Sequence, residues 1–346
     1  MKKTIVYDEK VPFVAQLLGK KYNLRPLPAD RITRDTAADA DALIIRTRTK
    51  VDSLLLEGSK CKIVATATIG TDHIDLAWCK ANGIAVSNAP GCNAPAVAQW
   101  VFAAIASIQT LPENPTIGII GVGNVGSIVR QWSKTLGFNT LACDPPRHRA
   151  EGGDFSDLSE IADKADIITF HTPLTTQGPD ATFHLAGAAF FDALKRRPYI
   201  LNAARGPVTD TRALLDALDS NKIAGAMIDC WEGEPDIDLT LLDRAAIATP
   251  HIAGYSLEGK IRATAMAAGA VDNVLDPETP IKLDMSHIIR DSSGHWINIP
   301  QGTPSHISLK KISGSYDIMA DTMTLKTMPE EFENLRNNYR LRNEVI

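Results

Sequence analysis

Twice along this chain, short apolar runs rich in β-branched residues alternate with stretches of helical length and spacing. That alternation restricts the fold more than any single motif does. The first series covers residues 1 to about 88, with strands expected at 4–7, 42–46, 62–66 and 84–87. The second runs from about 115 to 250, with strands expected at 116–120, 139–143, 166–170, 199–202, 223–228 and 246–248. Helical periodicity fills the gaps, as in 125–136 and 209–219. Strands alternating with helices build βαβ units and parallel sheets. The sequence therefore predicts an α/β chain with two doubly wound domains. A long helical pattern, 94–108, lies between the series, and another, 257–275, follows the second and is placed to cross back. The expected division is 1–90 plus about 255–282 as one domain and 91–254 as the other.

From 283 onward the composition shifts to Ser, Thr, Ile and Met. Alternation in 306–312 and 316–323 predicts antiparallel strands, and hence a small α+β C-terminal domain over 283–346. Phe332, Leu335 and Tyr339 form an apolar stripe at helical spacing, suited to core packing or to a dimer surface.

The 346 residues are 44% hydrophobic and 22% charged, enough to bury sizeable cores. The net charge of −5 argues against a nucleic-acid binder, which needs a basic face. The apolar run Thr4-Ile5-Val6-Tyr7 ends at Asp8 and reads as a first strand; a signal peptide needs a longer apolar region. The longest mostly apolar stretch, 94–108, contains Gln99 and is shorter than the roughly 20 residues that span a bilayer. Five cysteines without a C-x-x-C pair read as buried thiols of a reduced, cytoplasmic protein. His171, His184, His251 and the cysteines show no metal-ligand spacing, so no metal is expected.

The sharpest local signal is G-x-G-x-x-G at Gly121, Gly123 and Gly126, with an apolar strand before it and an amphipathic helix after it. In that setting the glycines permit a tight turn and close backbone approach to a pyrophosphate, which meets free N–H groups at the helix start. Gly121, Gly123, Asn124, Val125 and Gly126 are the expected contacts. About twenty residues on, the strand 139–143 ends at Asp144. A carboxylate there accepts from ribose hydroxyls and repels a 2′-phosphate, which favours NAD over NADP; nearby Arg147 is the one feature pulling the other way.

Three further strand ends carry reactive residues: Arg205 in Asn202-Ala203-Ala204-Arg205-Gly206, Glu234 in Asp229-Cys230-Trp231-Glu232-Gly233-Glu234-Pro235, and His251 in Thr249-Pro250-His251. Ligands of open α/β sheets bind beyond the carboxyl ends of the strands, so one crevice can hold all three. The types suit hydride transfer from a 2-hydroxy acid. His251 is suited to act as general base, since an unperturbed imidazole titrates near neutrality. Glu234 can fix its tautomer and stabilise the imidazolium. Arg205 offers a planar fork to a carboxylate and a developing carbonyl oxygen.

These motifs, with Ala65-Thr66-Ala67-Thr68-Ile69-Gly70-Thr71-Asp72-His73, Asn88-Ala89-Pro90-Gly91-Cys92-Asn93-Ala94 and Phe170-His171-Thr172-Pro173, make the chain similar to the D-isomer-specific 2-hydroxyacid dehydrogenases. The likeness covers nearly the whole length, least clearly 283–325. It implies two doubly wound Rossmann-like domains with a small α+β C-terminal dimerisation appendix. The segments 65–73, 88–94 and 252–260 resemble a branch that oxidises a small phosphorylated 2-hydroxy acid. The tail 329–342 resembles that branch's dimerisation region, so a homodimer is implied. By the same resemblance Arg205, Glu234 and His251 are catalytic, and Asp144, Thr172, Ala203, Ala204, Arg205, Asp229 and Gly254 line the NAD site. Thr47, Thr68 and Tyr255 match substrate-contacting positions. Arg46, Arg48 and Lys50, just after the second expected strand, are the nearest cations for the phosphate. Two competing readings remain at this level. One is a dehydrogenase for another 2-hydroxy acid, such as 3-phosphoglycerate; the other is a non-catalytic NAD-sensing protein on the same fold.

Overall fold

The computed structural model describes residues 2–283 and 306–345. They divide into two units, one within Met1–Asn93 and Ser256–Gln301, the other within Ala94–Tyr255 and Gly302–Ile346.

The first unit is built on five parallel strands: β1 (Thr4–Asp8), β2 (Asn23–Leu27), β3 (Ala42–Ile45), β4 (Ile63–Thr66) and β5 (Ala85–Ser87), in the order β2-β1-β3-β4-β5. Alternate residues feed two cores. Ile5, Ile44, Ile63 and Ala65 face one side, where the helix Leu257–Leu275 supplies Ala267, Val271 and Leu275. Val6, Leu43, Ile45 and Val64 face the other. Such continuous apolar runs are what a parallel sheet covered on both faces requires.

The second unit carries six parallel strands: β6 (Thr116–Ile120), β7 (Asn139–Cys143), β8 (Ile167–Phe170), β9 (Tyr199–Asn202), β10 (Gly225–Ile228) and β11 (Ile247–Ala248), ordered β11-β10-β9-β8-β6-β7. The order reverses beside β6, which pairs with β7 on one side and β8 on the other. The helix Ala94–Ala106 lies under this sheet with Trp100 and Phe102 fully buried, and Phe102 meets Trp132 at 5.9 Å between ring centres. Burying one such ring contributes about 2 to 3 kcal/mol. Among the described residues no helix is long and apolar enough to cross a membrane, and all five cysteines are free and buried.

The expected strands form with ends shifted by no more than two residues. β2 was not expected: Pro26 lies within it, and its side chains are only partly covered because it is an edge strand. The C-terminal region corrects the reading of 306–312 and 316–323 as strands. Both are helical, as Leu309–Ser315 and Ile318–Thr327. Each begins at a capping side chain: Ser308 accepts from the Lys311 N–H at 3.2 Å, and Asp317 from the Ala320 N–H at 3.0 Å. Those caps, with Ile312, Tyr316 and Leu325 turned to the core, outweigh a short run of alternation. Phe332 of the apolar stripe is 1% exposed, and it and Leu335 pack into the second unit's own core. The stretch 284–305 of the expected C-terminal domain lies outside the described residues.

Candidate active site

All pairings in the second sheet are parallel, so its strands end at one edge. That edge presents Gly121 after β6, Asp144 after β7, Thr172 after β8, Arg205 after β9, Glu234 after β10 and His251 after β11.

The glycines fit a dinucleotide. A Cβ on Gly121, where φ is +85°, would lie 2.8 Å from the His171 carbonyl carbon and the Thr172 nitrogen, and one on Gly126 would strike the Gly121 carbonyl. These two are needed to close the turn. Gly123 meets nothing within 4 Å, so its open face is where a pyrophosphate can approach the backbone. It is also the N-cap of helix Asn124–Thr135, where no side chain caps the free N–H groups. Asp144 accepts the Val122 N–H at 2.8 Å and the Arg147 N–H at 3.0 Å, bracing the loop with some of its lone pairs and leaving others for hydroxyls. Arg147 is turned onto Glu151, 2.6 Å away, and the Val122 carbonyl. Beside Asp144 is a cavity of 320 Å³ lined by Ile120, Cys143, Pro145, Leu158, Thr172 and Leu185 among others. The Thr172 hydroxyl is buried and has no hydrogen-bond partner among the described residues. An apolar slot with a few convergent polar groups is the form expected of a small-molecule or cofactor site.

Around β9, β10 and β11 the loops are tied to one another. The Asn202 amide donates to the Arg205 carbonyl at 3.0 Å, and its carbonyl oxygen accepts from the Ala204 N–H at 3.1 Å, which shapes the 203–206 turn. Ala203 is half-buried and Ala204 buried within it. Asp229 is 1% exposed and accepts from the Thr249 hydroxyl at 2.6 Å and the N–H groups of Ile252 and Ala253 at 2.8 and 3.0 Å. Burial raises its carboxyl above the ordinary range, against the pull of His251, Thr249 and these N–H groups. Asp229 therefore braces the loop that carries His251 and half-buried Gly254.

His251 Nδ1 lies 2.8 Å from Glu234 Oε2. Its backbone sits at φ 55°, a left-handed conformation rare outside glycine, held by N–H bonds to Asp229 O and Thr249 O. Glu234 Oε1 takes the Trp231 N–H at 2.6 Å. Burial pushes the Glu234 carboxyl up, but the His251 bond and charge, the Trp231 N–H and Arg336 outweigh it, so it stays below the usual carboxylate range. An ionised carboxylate only accepts, so the proton between the pair sits on Nδ1 and the Nε2 lone pair is left for other chemistry. Arg205 is half-buried and donates to the Ala204 carbonyl at 2.7 Å; its charge and that of Arg336 are both felt at Cys230.

The structure adds residues that no local motif announced. The ligand atoms of Cys230, Glu234 and His251 lie within 4.8 Å of one another. This spacing is open to a metal ion, but burial holds the thiol well above its usual pKa, and His251 Nδ1 is committed to Glu234. Arg336 comes within 3.8 Å of Glu234 from about a hundred residues downstream. Trp231 Nε1 donates to the Thr249 carbonyl at 2.9 Å, linking the Glu234 and His251 loops.

In the first unit, Arg46, Thr47 and Thr68 follow β3 and β4 at the carboxyl edge of its sheet. Arg46 Nε is 2.8 Å from the buried Asp8 carboxylate. Thr47 is exposed, and the Thr68 hydroxyl lies 2.6 Å from that of Thr66. Lys50 is exposed and 3.0 Å from Asp52. Tyr255, in the second unit, stacks edge-on against Tyr339 at 6.1 Å.

Fold and edge together define a class. Residues 97–253 match the model of the D-isomer specific 2-hydroxyacid dehydrogenase, NAD binding domain. Among solved structures the chain is similar to D-lactate dehydrogenase from Aquifex aeolicus complexed with NAD and lactic acid, with a TM-score of 0.64, 25% identity, and 80% of this chain and 96% of that one covered. It shares the fold of the NAD+-bound 3-phosphoglycerate dehydrogenase of Entamoeba histolytica, with a TM-score of 0.65, 23% identity, and coverage of 82% and 99%. Curated relatives narrow the class. The erythronate-4-phosphate dehydrogenase of Bacteroides thetaiotaomicron is 42% identical over 98% of this chain and 97% of its own length. That of Escherichia coli O81 (strain ED1a) is 41% identical over 98% and 92%. The chain belongs to the erythronate-4-phosphate dehydrogenase family.

Proposed function

We propose that this chain oxidises 4-phospho-D-erythronate to 2-oxo-3-hydroxy-4-phosphobutanoate with NAD, a step of vitamin B6 (pyridoxal phosphate) biosynthesis. The observation that carries the reading is end-to-end similarity to erythronate-4-phosphate dehydrogenases in a chain that holds a histidine–carboxylate pair at 2.8 Å. The glycine turn and Asp144 would hold NAD, which would supply the acceptor for the C2 hydrogen and its electron pair. His251 Nε2 accepts the proton of the C2 hydroxyl. Glu234 holds the ring and stabilises the cation that forms, and the Arg205 fork binds the substrate carboxylate. Thr172, Ala203, Ala204, Asp229 and Gly254 belong to the cofactor side. Arg46, Thr47, Thr68 and Tyr255 contact the phosphorylated substrate, with Arg46 partly neutralised by Asp8. The test is formation of reduced cofactor, read by its near-ultraviolet absorbance, with 4-phospho-D-erythronate, 3-phosphoglycerate and unphosphorylated erythronate side by side. A parallel assay adds a 2-oxo acid acceptor in case the cofactor is held tightly. Selective turnover of the first supports the reading. Selective turnover of 3-phosphoglycerate removes the substrate assignment, and NAD binding without turnover of any acid favours the sensor.

Asp144 sets the cofactor preference in this reading. Asp144→Ala is expected to weaken discrimination against NADP on the order of tenfold or more, since a carboxylate repels a 2′-phosphate a few ångströms away. An unchanged ratio of kcat/KM for the two cofactors would remove its ribose role.

We also propose a cytoplasmic homodimer formed through the C-terminal region. With Phe332 committed to the core, the exposed large apolar side chains among the described residues of that region are Met319 (44% exposed) and Met323 (58%) on helix Ile318–Thr327, and Met328 (38%) just past its end. Soft, adaptable side chains of this kind suit a contact surface. Met319→Lys combined with Met323→Lys is expected to convert dimer to monomer in sedimentation, and a dimer that survives both lysines would place the interface elsewhere.

A further inference from the structure

The C-terminal segment is bound into the catalytic loop of its own unit. Arg342 is 9% exposed, and its guanidinium donates to the carbonyls of Ile252, Ala253 and Tyr255 in the His251 loop, and to that of Ala96. Its plane lies 4.4 Å over the Tyr316 ring. Tyr316 and Tyr339 both donate to Asp321, at 2.8 and 3.0 Å. Buried Gln99 donates to Ser315 and the Asn343 carbonyl. Against this anchored background the helix Phe332–Asn337 projects Arg336, three-quarters buried, towards the site. Its guanidinium lies 3.8 Å from Glu234 Oε2, the same oxygen that receives His251 Nδ1, and is hydrogen-bonded to the Tyr255 side chain.

We propose that Arg336 is a positioning residue of the active site. It holds the Tyr255 hydroxyl in place for the substrate and supplies a second cation to the Glu234 carboxylate. The inference rests on the proposed function, because it assumes that His251 and Tyr255 act as stated there. The chemistry suits an arginine. One planar fork can serve a phenol and a carboxylate at once, which a lysine ammonium on a flexible stem does not do with the same direction. Among the described residues, the charged and titratable groups around the Glu234–His251 pair include Asp229 and Cys230 from the β10 loop, Tyr255 from the His251 loop, and Arg336 with its neighbour Glu333 from the C-terminal helix, while Arg205 from the β9 loop acts on Cys230. A cation removed from this set favours charge on the imidazole, both by lost repulsion and by freeing the carboxylate to bond it more closely.

The test is steady-state kinetics of Arg336→Gln, Arg336→Lys and Tyr255→Phe across pH with 4-phospho-D-erythronate. Arg336→Gln is expected to raise KM about tenfold, lower kcat about tenfold and move the acid limb of the kcat profile up by half a unit to one unit, as loss of a charge several ångströms away implies. Arg336→Lys returns the limb to its wild-type position while KM stays raised. Adding Tyr255→Phe to Arg336→Gln costs little more, because the pair acts as one unit. Wild-type KM and an unmoved limb in Arg336→Gln would overturn the inference. So would an activity loss that tracks lost thermal stability with the limb unmoved. If Arg336→Gln does not fold, the lysine and phenylalanine variants decide: wild-type KM in both overturns the proposal. A wild-type enzyme that fails to oxidise the acid, or a fully active His251→Ala, would instead remove the reading on which the inference stands.

Discussion

His251→Ala lowers kcat by about three to four orders of magnitude, the upper range for loss of a positioned general base, while NAD affinity stays near wild type. The separation follows from where the residue is held. The left-handed backbone at His251 is kept by the Asp229 and Thr249 carbonyls and the Asp229 carboxylate, none of which involves the imidazole. The ring is about one-quarter exposed, so its removal leaves no sealed cavity. The glycine turn, Asp144 and the slot beside it lie at the other end of the sheet order and keep their contacts. Cofactor titration by fluorescence quenching beside turnover with 4-phospho-D-erythronate reads both halves, and retained full activity sinks the general-base assignment. Glu234→Gln is a milder lesion, about ten- to a hundredfold, because an amide oxygen can still accept from Nδ1 while the charge that stabilises the imidazolium is gone. Since the Glu234 carboxyl lies below the usual range, it stays ionised through the neutral range, and the acid limb of the rate profile belongs to another group.

What could be read from the chain alone follows the range of the forces involved. The parallel strands declare themselves because a strand buried on both faces must be apolar throughout, as 42–45 and 117–120 are. The cofactor turn declares itself because its glycines, strand and helix are adjacent in sequence. Arg205, Glu234 and His251 are legible as residue types at strand ends, and the structure supplies the 2.8 Å contact that joins two of them. The losses are of two kinds. Edge strand β2 and the C-terminal helices escape periodicity because partial burial around Pro26 blurs one and helix caps decide the others. Arg336 and Arg342 escape because their partners are distant in sequence, and no local pattern marks an arginine that will meet Glu234 or the carbonyls of Ile252 and Tyr255. Asp229 is an intermediate case: its place beside the cofactor strands is legible, but its work as the buried brace of the His251 loop is not.

Gly206→Ala has the other large expected effect, through the backbone alone. A Cβ at this position would sit 2.5 Å from the Glu232 nitrogen and closer still to the Trp231 carbonyl. These are main-chain atoms with no rotamer to give, so the 203–206 turn and the 230–234 loop must part. The first carries Arg205 and the second Glu234, so one methyl group displaces two site residues while removing neither. Overpacking of this kind costs about 1 to 3 kcal/mol of stability, and a displacement near 1 Å at a catalytic group costs about a hundredfold in rate. The measurement is urea unfolding beside kcat/KM, with Gly123→Ala as the contrast. A Cβ on Gly123 meets no described protein atom within 4 Å, so that variant is expected to lose only the modest stability of an alanine at an N-cap, and mainly NAD affinity as the methyl enters the pyrophosphate approach. If Gly206→Ala is as stable and active as wild type, the close backbone packing of the 203–206 turn on the 230–234 loop has to be abandoned.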